Sequence, residues 1–411
     1  MPTDDSAKGL PRRAFLQWGV AATTATSLPL TQALGATDQQ RTEIKRYREL
    51  GRTGLSISDI SFGSSRLREN EEDLVRYAFD RGVNYFDTAE SYNGGVAESV
   101  LGRALRGKRD KIHFASKVTA GASARKASMM EALEGSLKRL DTDYIDIYFN
   151  HAVNDVARLE NPEWREFTDT AKKQGKIRFV GMSGHAGNLI SCLDHAIDTD
   201  AVDAVLVAYN FGQDPKFYER LTRSFDFVAV QPDLPRVLAK AKAKNIGVVT
   251  MKTLMGGRLN DLRRYESGGA TFAQAAFRWT LSNPNVDGVV ISMTSAPTID
   301  EYLGASGATD LALGDFELLK QYALLNGASY CRHACNACEG ACPYGVPIAD
   351  VLRTRMYAVD YGDVTFARRE YAALDGSAQA CLTCTGTPCQ GACPHGLQIE
   401  ALCGPTHRAL A

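Results

Sequence analysis

The sequence predicts an α/β protein: a (β/α)8 barrel of the TIM type, followed by a smaller, mostly helical C-terminal domain. A unit made of a short apolar run, a loop and a segment of helical periodicity recurs eight times between Tyr47 and about Leu303. No Gly-x-Gly-x-x-Gly motif follows any of these runs, which argues against a doubly wound open sheet that binds a dinucleotide in the Rossmann manner. Eight of the ten cysteines crowd into residues 331–393, beyond the repeating units.

The apolar runs provide the predicted strands. Alternation of strand and helix requires parallel pairing with right-handed crossovers, and eight such units close into a barrel of about 250 residues. The runs are ISFGSS from Ile60, NYFDTA from Asn84, IHFASKV from Ile112, YIDIYFNH from Tyr144, IRFVGMSG from Ile177, AVLVAYN from Ala204, IGVVTMKT from Ile246 and GVVISM from Gly288.

The clearest helical pattern between the runs covers residues 70–82. Asn70 is the predicted N-cap, and the acidic residues that follow it would lie in the positive first turn. An apolar stripe then indicates one buried face, and Gly82 ends the segment. The stripe consists of Leu74, Val75, Ala78 and Phe79.

The composition excludes two classes of protein. A formal net charge of −1 over 411 residues argues against a nucleic-acid-binding surface, which needs a clustered excess of Lys and Arg. No stretch approaches the roughly 18 consecutive apolar residues of a membrane-spanning helix.

The N-terminus has the layout of an export signal. Arg12 and Arg13 precede a modestly apolar, Ala/Thr-rich stretch from Phe15 to about Ala36, and ALGA provides small residues for cleavage. PRRAFLQ resembles the twin-arginine signal, which carries folded, cofactor-loaded proteins across the membrane. The resemblance predicts a signal peptide over residues 1–36 and a periplasmic protein, which an uncleaved signal would attach to the membrane. The alternative is a basic N-terminus without fixed structure.

Polar residues stand at the predicted C-terminal ends of six strands, the face on which barrel enzymes carry their active sites. Each one alone has an ordinary structural explanation, such as a turn, a helix cap or a hydrogen-bonded surface group. Their coincidence is informative because the fold brings these strand ends to one rim. The residues are Asp87, Lys117, His151, Ser183, Asn210 and Lys252, with Tyr92 five positions after Asp87.

Four of these residues form a set that fits the reduction of a carbonyl group. A phenol has a pKa near 10, too high for an efficient acid at neutral pH, and the Lys117 ammonium would lower the pKa of Tyr92. Asp87 would hold Lys117 charged and in place. His151 could donate a hydrogen bond to the substrate oxygen, where negative charge develops.

The motifs FDTAESYNGGVAE, ASKV and YFNHAV resemble the catalytic motifs of the aldo-keto reductases. The likeness covers Tyr47 to about Ala308, including ELGRTGLSISDISFGS, which resembles the family's hairpin over the barrel floor, and it places a barrel domain at residues 47–310. It implies hydride transfer between a nicotinamide cofactor, NAD(P)(H), and a small carbonyl or alcohol substrate, with Tyr92 as general acid. It also places Ser183 and Asn210 near the carboxamide of the cofactor.

Three departures from the family pattern bear on the cofactor. Lys252 stands where many members stack an aromatic ring on the nicotinamide, and Gly184 replaces the Asn that usually follows Ser183. The segment ISMTSAPTIDEYL has no basic residue, so a 2′-phosphate would lack charge-assisted hydrogen bonds there. Cofactor binding is expected, whereas a preference for NADPH is not supported.

The clustered cysteines form two runs that each end in Cys-Pro, the mark of bacterial ferredoxin sequences. Each run carries one or two residues more than the ferredoxin spacing, in the first gap of one and the second gap of the other. Eight thiolates suffice for two 4Fe–4S clusters, which the sequence predicts in a module over residues 325–411. The runs are Cys331-x3-Cys335-x2-Cys338-x3-Cys342-Pro343 and Cys381-x2-Cys384-x4-Cys389-x3-Cys393-Pro394.

By similarity to two-cluster ferredoxins, Cys342 and Cys393 would each bind the cluster of the other run. The segment GVPIADVL and its echo GLQIEALC indicate a duplicated cysteine-loop-helix unit. Zinc and disulfides are the competing interpretations, since zinc accepts C-x2-C pairs and an exported chain meets an oxidising compartment. Cys192 is expected to be a buried small apolar residue, and the sequence offers no partner for Cys403.

Export and clusters are consistent with each other, because clusters are assembled inside the cell and their carrier must leave it folded. Free nicotinamide cofactors are scarce outside the cytoplasm, which leaves two hypotheses. Either the enzyme holds its nicotinamide tightly and recharges it through the clusters and an electron-transfer protein, or the electrons come from the clusters alone. The rival class is an electron-transfer or docking subunit whose barrel is a non-catalytic scaffold.

Overall fold

Eight parallel strands close into a barrel, as the sequence predicts. They pair in chain order, and the last strand pairs with the first, so the sheet has no free edge. Each predicted apolar run contains one of these strands. The strands of the chain are the hairpin strands β1 (Tyr47–Glu49) and β2 (Ser56–Ser58), and the barrel strands β3 (Ile60–Gly63), β4 (Tyr85–Asp87), β5 (His113–Val118), β6 (Ile145–Asn150), β7 (Ile177–Gly184), β8 (Ala204–Ala208), β9 (Gly247–Met251) and β10 (Gly288–Ser292).

The computed structural model describes residues 42–185, 188–213, 231, 233–254, 266, 271–326, 331, 335, 337–359 and 362–411. These residues all belong to one compact unit. The predicted signal peptide over residues 1–36 lies outside them. None of the helices among the described residues has the length and apolar character needed to cross a bilayer.

The N-terminal hairpin closes the floor of the barrel. Leu50, Leu55 and Ile57 are buried and pack with inward-facing side chains of the barrel strands in one apolar cluster. Gly51, in the turn of the hairpin, has a φ of +47°, and a Cβ there would lie 2.3 Å from the backbone nitrogen of Gly247. Only glycine fits this approach, which seats the hairpin against the barrel. The bottom of the barrel is therefore packed shut.

Helices surround the barrel and cover the outer face of its strands, which explains why the strands are apolar on both faces. The helix predicted over residues 70–82 is shorter than expected. It begins at Glu72, and Asn70 has a φ of +66° in the preceding turn and does not cap it. The barrel-side helices are α1 (Glu72–Phe79), α2 (Val96–Ala104), α3 (Lys126–Leu140), α4 (Pro162–Lys173), α5 (Leu189–Asp198), α6 (Leu234–Ala243), α7 (Phe272–Leu281), α8 (Ala296–Leu303) and α9 (Asp315–Asn326).

The C-terminal region is helical, as predicted, and its own apolar cluster includes most of the clustered cysteines. Its helices are α10 (Ile348–Val359), α11 (Val364–Ala372), α12 (Pro388–Gly391) and α13 (Ile399–Leu410).

The two halves of this region repeat the same local structure. Ile348 and Ile399 each begin a helix at the same distance after the last cysteine of a run, and each is 1% exposed. The cysteine carbonyls of Cys342 and Cys393 each accept a hydrogen bond from the N–H of the glycine three positions later, at 3.3 and 3.2 Å. These equivalences agree with the duplicated cysteine-loop-helix unit that the sequence indicated.

Candidate active site

A buried ion pair lies at the mouth of the barrel. Lys117, in β5, places its Nζ 2.6 Å from Oδ1 of Asp87, which ends the neighbouring strand β4, and 2.6 Å from the carbonyl oxygen of Thr88. The Lys117 and Asp87 side chains are 1% and 4% exposed. Removing either partner would leave the other as an uncompensated buried charge, so the two side chains hold each other in place.

Tyr92 and His151 meet next to this pair. The Tyr92 hydroxyl lies 3.5 Å from Lys117 Nζ, and the ammonium lies 4.9 Å from the centroid of the phenol ring. His151 follows β6 directly and sits edge-on to Tyr92, with ring centroids 5.7 Å apart. The structure therefore brings together the four side chains that the sequence predicted as the catalytic set.

The protonation states differ from the sequence-based expectation at one residue. Burial, reinforced by the Asp87 carboxylate, raises the pKa of Tyr92 well above its usual value, whereas the sequence predicted that Lys117 would lower it. Burial outweighs the ammonium because a phenolate at this position would lose its contact with water. The predicted direction is wrong, and Tyr92 holds its proton at neutral pH.

Burial also keeps His151 neutral. It lowers the pKa of the imidazole to about 3, with further contributions from nearby cations, of which Lys117 is the largest. Burial lowers the pKa of Lys117 and raises that of Asp87, and each partner opposes the shift of the other. At neutral pH the mouth thus presents a protonated phenol and a neutral imidazole, both able to donate a hydrogen bond to one oxygen.

Ser183 is the penultimate residue of β7, Asn210 lies in the loop after β8, and both are buried. The Ser183 hydroxyl accepts a hydrogen bond of 2.9 Å from the N–H of Ala152, which fixes the loop behind His151. Asn210 donates to the carbonyl of Lys252 at 3.1 Å and accepts from the N–H of Gly212 at 2.9 Å. Both side chains connect neighbouring strand-end loops while facing the same rim.

Lys252 and Gly184, two positions at which the chain departs from the family pattern, lie in unusual local surroundings. Lys252 has a φ of +59°, an unusual conformation for a residue with a side chain, and burial lowers its pKa well below the usual value for an ammonium. A Cβ at position 184 would lie 2.6 Å from Leu189 Cδ1, so an Asn there would require the Leu189 side chain to move.

The C-terminal module lies against the mouth of the barrel, which the sequence did not predict. Asp363 accepts hydrogen bonds from Arg68 at 2.6 Å and from Arg66 at 3.2 Å, both in the loop after β3. On α10, Arg353 Nη1 lies 3.5 Å from Nε2 of His185, which directly follows β7. An isolated charged residue on a helix carries no signal of such a contact in the sequence.

The two cysteine runs interleave. Cys342, from the first run, lies beside Cys381 and Cys389 of the second, and all three line one pocket with Cys384. Cys338 lies near Cys335 of its own run and near Cys393 of the other.

All ten cysteines are among the described residues, and none of them forms a disulfide. Within the described parts of the chain, no three His, Cys, Asp or Glu side chains are close enough to hold a single metal ion. Cys192 is fully buried in α5, as predicted, and burial raises its pKa to about 11. Cys403 is buried in α13 and lies near Cys381, a neighbour that the sequence did not reveal.

A (β/α)8 barrel with a proton donor, an imidazole and a buried ammonium–carboxylate pair at its mouth defines a class, the barrel oxidoreductases. The chain belongs to the aldo/keto reductase family, because the family model matches residues 59–322, which is more than half of the chain. It is therefore an oxidoreductase. The match ends before the first clustered cysteine and covers only the barrel part of the chain.

The chain is also similar to individual proteins and to solved structures. L-galactose dehydrogenase of Arabidopsis thaliana is 25% identical over 294 residues, 63% of this chain and 87% of that protein. A probable voltage-gated potassium channel subunit beta of the same plant is 25% identical over 307 residues, 63% of this chain and 90% of that protein. The crystal structure of an aldo/keto reductase from Klebsiella pneumoniae in complex with NADP and acetate has a TM-score of 0.53 and 27% identity, and covers 69% of this chain and 95% of that one.

Proposed function

We propose that this oxidoreductase transfers a hydride between a nicotinamide cofactor and a small carbonyl or alcohol substrate, and exchanges electrons through two 4Fe–4S clusters in its C-terminal module. The observation that carries the first part is the buried Lys117–Asp87 pair beside Tyr92 and His151. A buried ion pair contributes little to stability compared with an apolar pair of the same size. Its place beside a phenol favours a catalytic role.

The chain's own residues would move one proton. When a carbonyl oxygen gains negative charge, the Tyr92 hydroxyl donates its proton to it, and the neutral His151 ring donates a hydrogen bond to the same oxygen. The Lys117 ammonium then stabilises the phenolate that remains, and Asp87 keeps the ammonium in position. General acid catalysis of this kind contributes about 10²- to 10⁴-fold to a rate.

The nicotinamide cofactor, when bound, supplies or accepts the hydride. Ser183 and Asn210 fit its carboxamide because each keeps spare hydrogen-bonding capacity. Among the described residues, the Ser183 hydroxyl accepts one hydrogen bond and still has a proton to donate, and the Asn210 amide uses only one of its two N–H groups. The Klebsiella relative is in complex with NADP. In this chain the segment from Ile291 to Leu303 contains no Lys or Arg, so NADP offers no evident advantage over NAD.

The donor set of the C-terminal module fits two clusters better than zinc. Four thiolates around one zinc ion at about 2.3 Å would bring their sulfur atoms to within about 4 Å of each other. A 4Fe–4S cluster is larger, and its four thiolates, each bound to a different iron, would lie farther apart. The eight thiolates, in two runs that each end in Cys-Pro, match the ligand number of two such clusters, and Cys342 of the first run lies with three cysteines of the second. This interleaving supports the exchange of ligands between runs.

A second function is a docking or electron-transfer subunit with a non-catalytic barrel. It is favoured by the likeness to a protein named as a probable channel subunit. The complete catalytic set argues against it, because a scaffold does not need an ion pair beside a phenol.

Export by the twin-arginine route is part of the proposal and rests on PRRAFLQ and the apolar stretch after it. It would place a cluster-bearing enzyme in the periplasm, with an electron-transfer protein as its partner and, if the signal stays uncleaved, an attachment to the membrane. Replacing Arg12 and Arg13 by Lys is expected to retain the protein in the cytoplasm, as measured by cell fractionation.

The decisive experiment uses anaerobically purified full chain. Its iron content, its absorption and EPR spectra and its bound nucleotide are measured, followed by turnover of small aldehydes and ketones with NADH and NADPH. Tyr92→Phe is expected to abolish most of the turnover and leave the spectra unchanged. An unaffected rate in this variant would support the scaffold function instead. If the protein held clusters but contained no bound nucleotide and did not turn over with NADH or NADPH, only the hypothesis that the electrons come from the clusters alone would remain.

A further inference from the structure

Arg158 connects the two loops that follow β5 and β6 at the mouth of the barrel. It lies in a short 3₁₀-helix (Val156–Arg158) between β6 and α4. Its guanidinium makes four hydrogen bonds, which run from Nε to the carbonyl oxygen of Ala120 at 2.8 Å, from Nη1 to that of Ala152 at 2.8 Å, and from Nη2 to that of His151 at 2.8 Å and to Oδ1 of Asn150 at 2.7 Å. Because β5 carries Lys117 and β6 leads directly into His151, one side chain ties together the loops beside both of these residues.

The segment that Arg158 holds has a strained backbone. Ala152 has a φ of +52°, a left-handed conformation that a residue with a Cβ rarely adopts. Such a conformation persists only where the surrounding structure determines it. Arg158 holds the carbonyl of Ala152 from one side. From the other side, the Ser183 hydroxyl accepts from the N–H of Ala152 at 2.9 Å, and the Ser183 carbonyl accepts from the N–H of Val153 at 2.7 Å. Since the strained residue directly follows His151, the direction of the imidazole depends on these contacts.

The contacts of this guanidinium suit an arginine. A guanidinium presents five N–H groups in a rigid planar fork and stays charged, whereas a lysine ammonium has three donors on a flexible stem. All hydrogen bonds that the Arg158 side chain makes with described residues go to oxygens of uncharged groups. The guanidinium is therefore used to fix backbone and amide groups of the loops. Its positive charge also contributes to the lowered pKa of His151.

The base from which Arg158 reaches the loops is itself anchored. Asn161, three residues further along, caps α4 and is only 4% exposed. Its side-chain amide donates to the carbonyl oxygens of Gly121 and Ala124 at 3.1 and 2.9 Å, in the segment between β5 and α3. Arg158 thus joins the backbone of His151 to a fixed part of the structure.

We propose that Arg158 is a positioning residue, which directs the His151 imidazole toward the oxygen that Tyr92 protonates by holding residues 150–152 in their strained conformation. It acts through His151 and not on the substrate. The effect on the reaction rests on the proposed function, whereas the fixed position of the imidazole does not. A hydrogen-bond donor displaced by about 1 Å can lower a rate about 10²-fold, so an effect through His151 is measurable.

Arg158→Lys is the informative variant, because lysine keeps the positive charge and loses the planar fork. Turnover is measured on the anaerobically purified full chain, with 4-nitrobenzaldehyde as the probe substrate and with NADH and NADPH in separate assays. We expect kcat to fall about tenfold to a hundredfold, whereas KM for the aldehyde should change by less than about threefold.

Arg109→Lys is the matched control. Arg109 donates to the carbonyl oxygens of Ile112 and Tyr144 at 2.9 and 3.0 Å and to the buried carboxylate of Asp146 at 2.6 Å. It therefore ties together the same two strands at their opposite ends, away from the mouth of the barrel. Arg109→Lys is expected to lower the stability in urea unfolding and to leave kcat unchanged. Equal losses of kcat in the two lysine variants would overturn the proposal.

A double variant tests whether the effect runs through His151. In a His151→Ala background, Arg158→Lys should lower kcat by less than about twofold, because the group that it positions is already missing. A further loss as large as the loss in the unmodified protein would show that Arg158 acts elsewhere and would contradict the proposal.

A measurement without turnover separates this proposal from the proposed function. The carbon–proton NMR signals of the histidine rings are recorded on the full chain, and the signal of His151 is assigned by its absence in His151→Ala. Arg158→Lys is expected to shift or broaden the His151 signal, and Arg109→Lys is expected to leave it unchanged. An unchanged His151 signal in Arg158→Lys would refute the positioning role, whether or not any aldehyde is reduced.

Discussion

Asp363, just before α11 in the C-terminal module, accepts a hydrogen bond of 2.6 Å from Arg68, which lies in the loop after the first barrel strand. The two residues are 295 positions apart in the chain. Arg66 contacts the same carboxylate, and Asp363 also caps α11 by accepting from the N–H of Phe366. One carboxylate therefore begins a helix of the module and fastens that helix to the barrel.

Asp363→Asn is expected to loosen the module, because an amide keeps the helix cap and loses the ionic contacts with Arg66 and Arg68. The Asp363 side chain is only 9% exposed, so the loss should reach about 1–2 kcal/mol of unfolding free energy, more than for a solvated pair. Hydrogen exchange in α11, compared before and after substitution, measures the loosening. Asp73→Asn, which breaks the exposed pair with Arg76, serves as the control and should change stability by less than about 0.5 kcal/mol. Equal effects in the two variants would contradict this role of Asp363.

Lys117→Met is expected to lower both stability and turnover. It leaves Asp87 buried without a partner, at a cost of about 3–5 kcal/mol in urea unfolding. The double variant Lys117→Met with Asp87→Asn removes both charges, so most of the stability should return while the carbonyl turnover stays lost. If turnover returned together with stability, the pair would have only a structural role.

His151 makes the folded state sensitive to acid. Its pKa is about 3 in the folded protein and about 6.5 in the unfolded chain, so the unfolded state binds more protons between these values. Stability therefore falls as the pH drops below about 6.5, and this residue contributes about 2 kcal/mol of loss between pH 7 and pH 5. Between pH 7 and pH 5, the His151→Asn variant should therefore lose about 2 kcal/mol less unfolding free energy than the unmodified protein. Urea unfolding curves at the two pH values measure this difference. Identical losses in both proteins would show that the imidazole titrates normally.

Cys342→Ser tests the proposed clusters and the exchange of ligands between the two runs. With exchange of ligands between runs, Cys342→Ser should damage the cluster bound by Cys381, Cys384 and Cys389. Iron content is expected to fall by about half, and one of two EPR signals of the reduced protein should be lost or altered. Double variants show which cluster is affected. Cys384→Ser combined with Cys342→Ser should remove no more iron than either change alone, whereas Cys335→Ser combined with Cys342→Ser should remove nearly all of it.

The barrel could be predicted from the sequence because its signals are local. Each strand is a short apolar run such as IHFASKV, and the rule that barrel enzymes carry their active sites at the C-terminal strand ends predicts that Asp87, Lys117 and His151 lie together. The sequence predicts the ends of helices less accurately than the positions of strands. Asn70 was expected to cap a helix but lies in a left-handed turn, and the choice between the two conformations depends on contacts that the local pattern does not contain.

The rest of the site depends on contacts between distant parts of the chain. The pKa of Tyr92 was predicted in the wrong direction because it is governed by what covers the phenol, including residues of a module more than 200 positions away. The contact between Arg353 and His185 could not be predicted for the same reason, because one arginine among several on a helical segment has no distinctive spacing. The position of Cys403 beside Cys381 likewise requires the folded C-terminal region.

The interleaving of the cysteine runs has a consequence for biosynthesis. When a ribosome has completed residues 331–380, all four cysteines of the first run have been made. Cys393 of the second run, which lies near Cys338 in the folded chain, has not yet been translated. Neither proposed cluster could then receive its complete ligand set until nearly the whole polypeptide has emerged. Iron–sulfur insertion would therefore be a post-translational event, and a nascent chain truncated before Cys393 should leave the assembly machinery without a finished cluster.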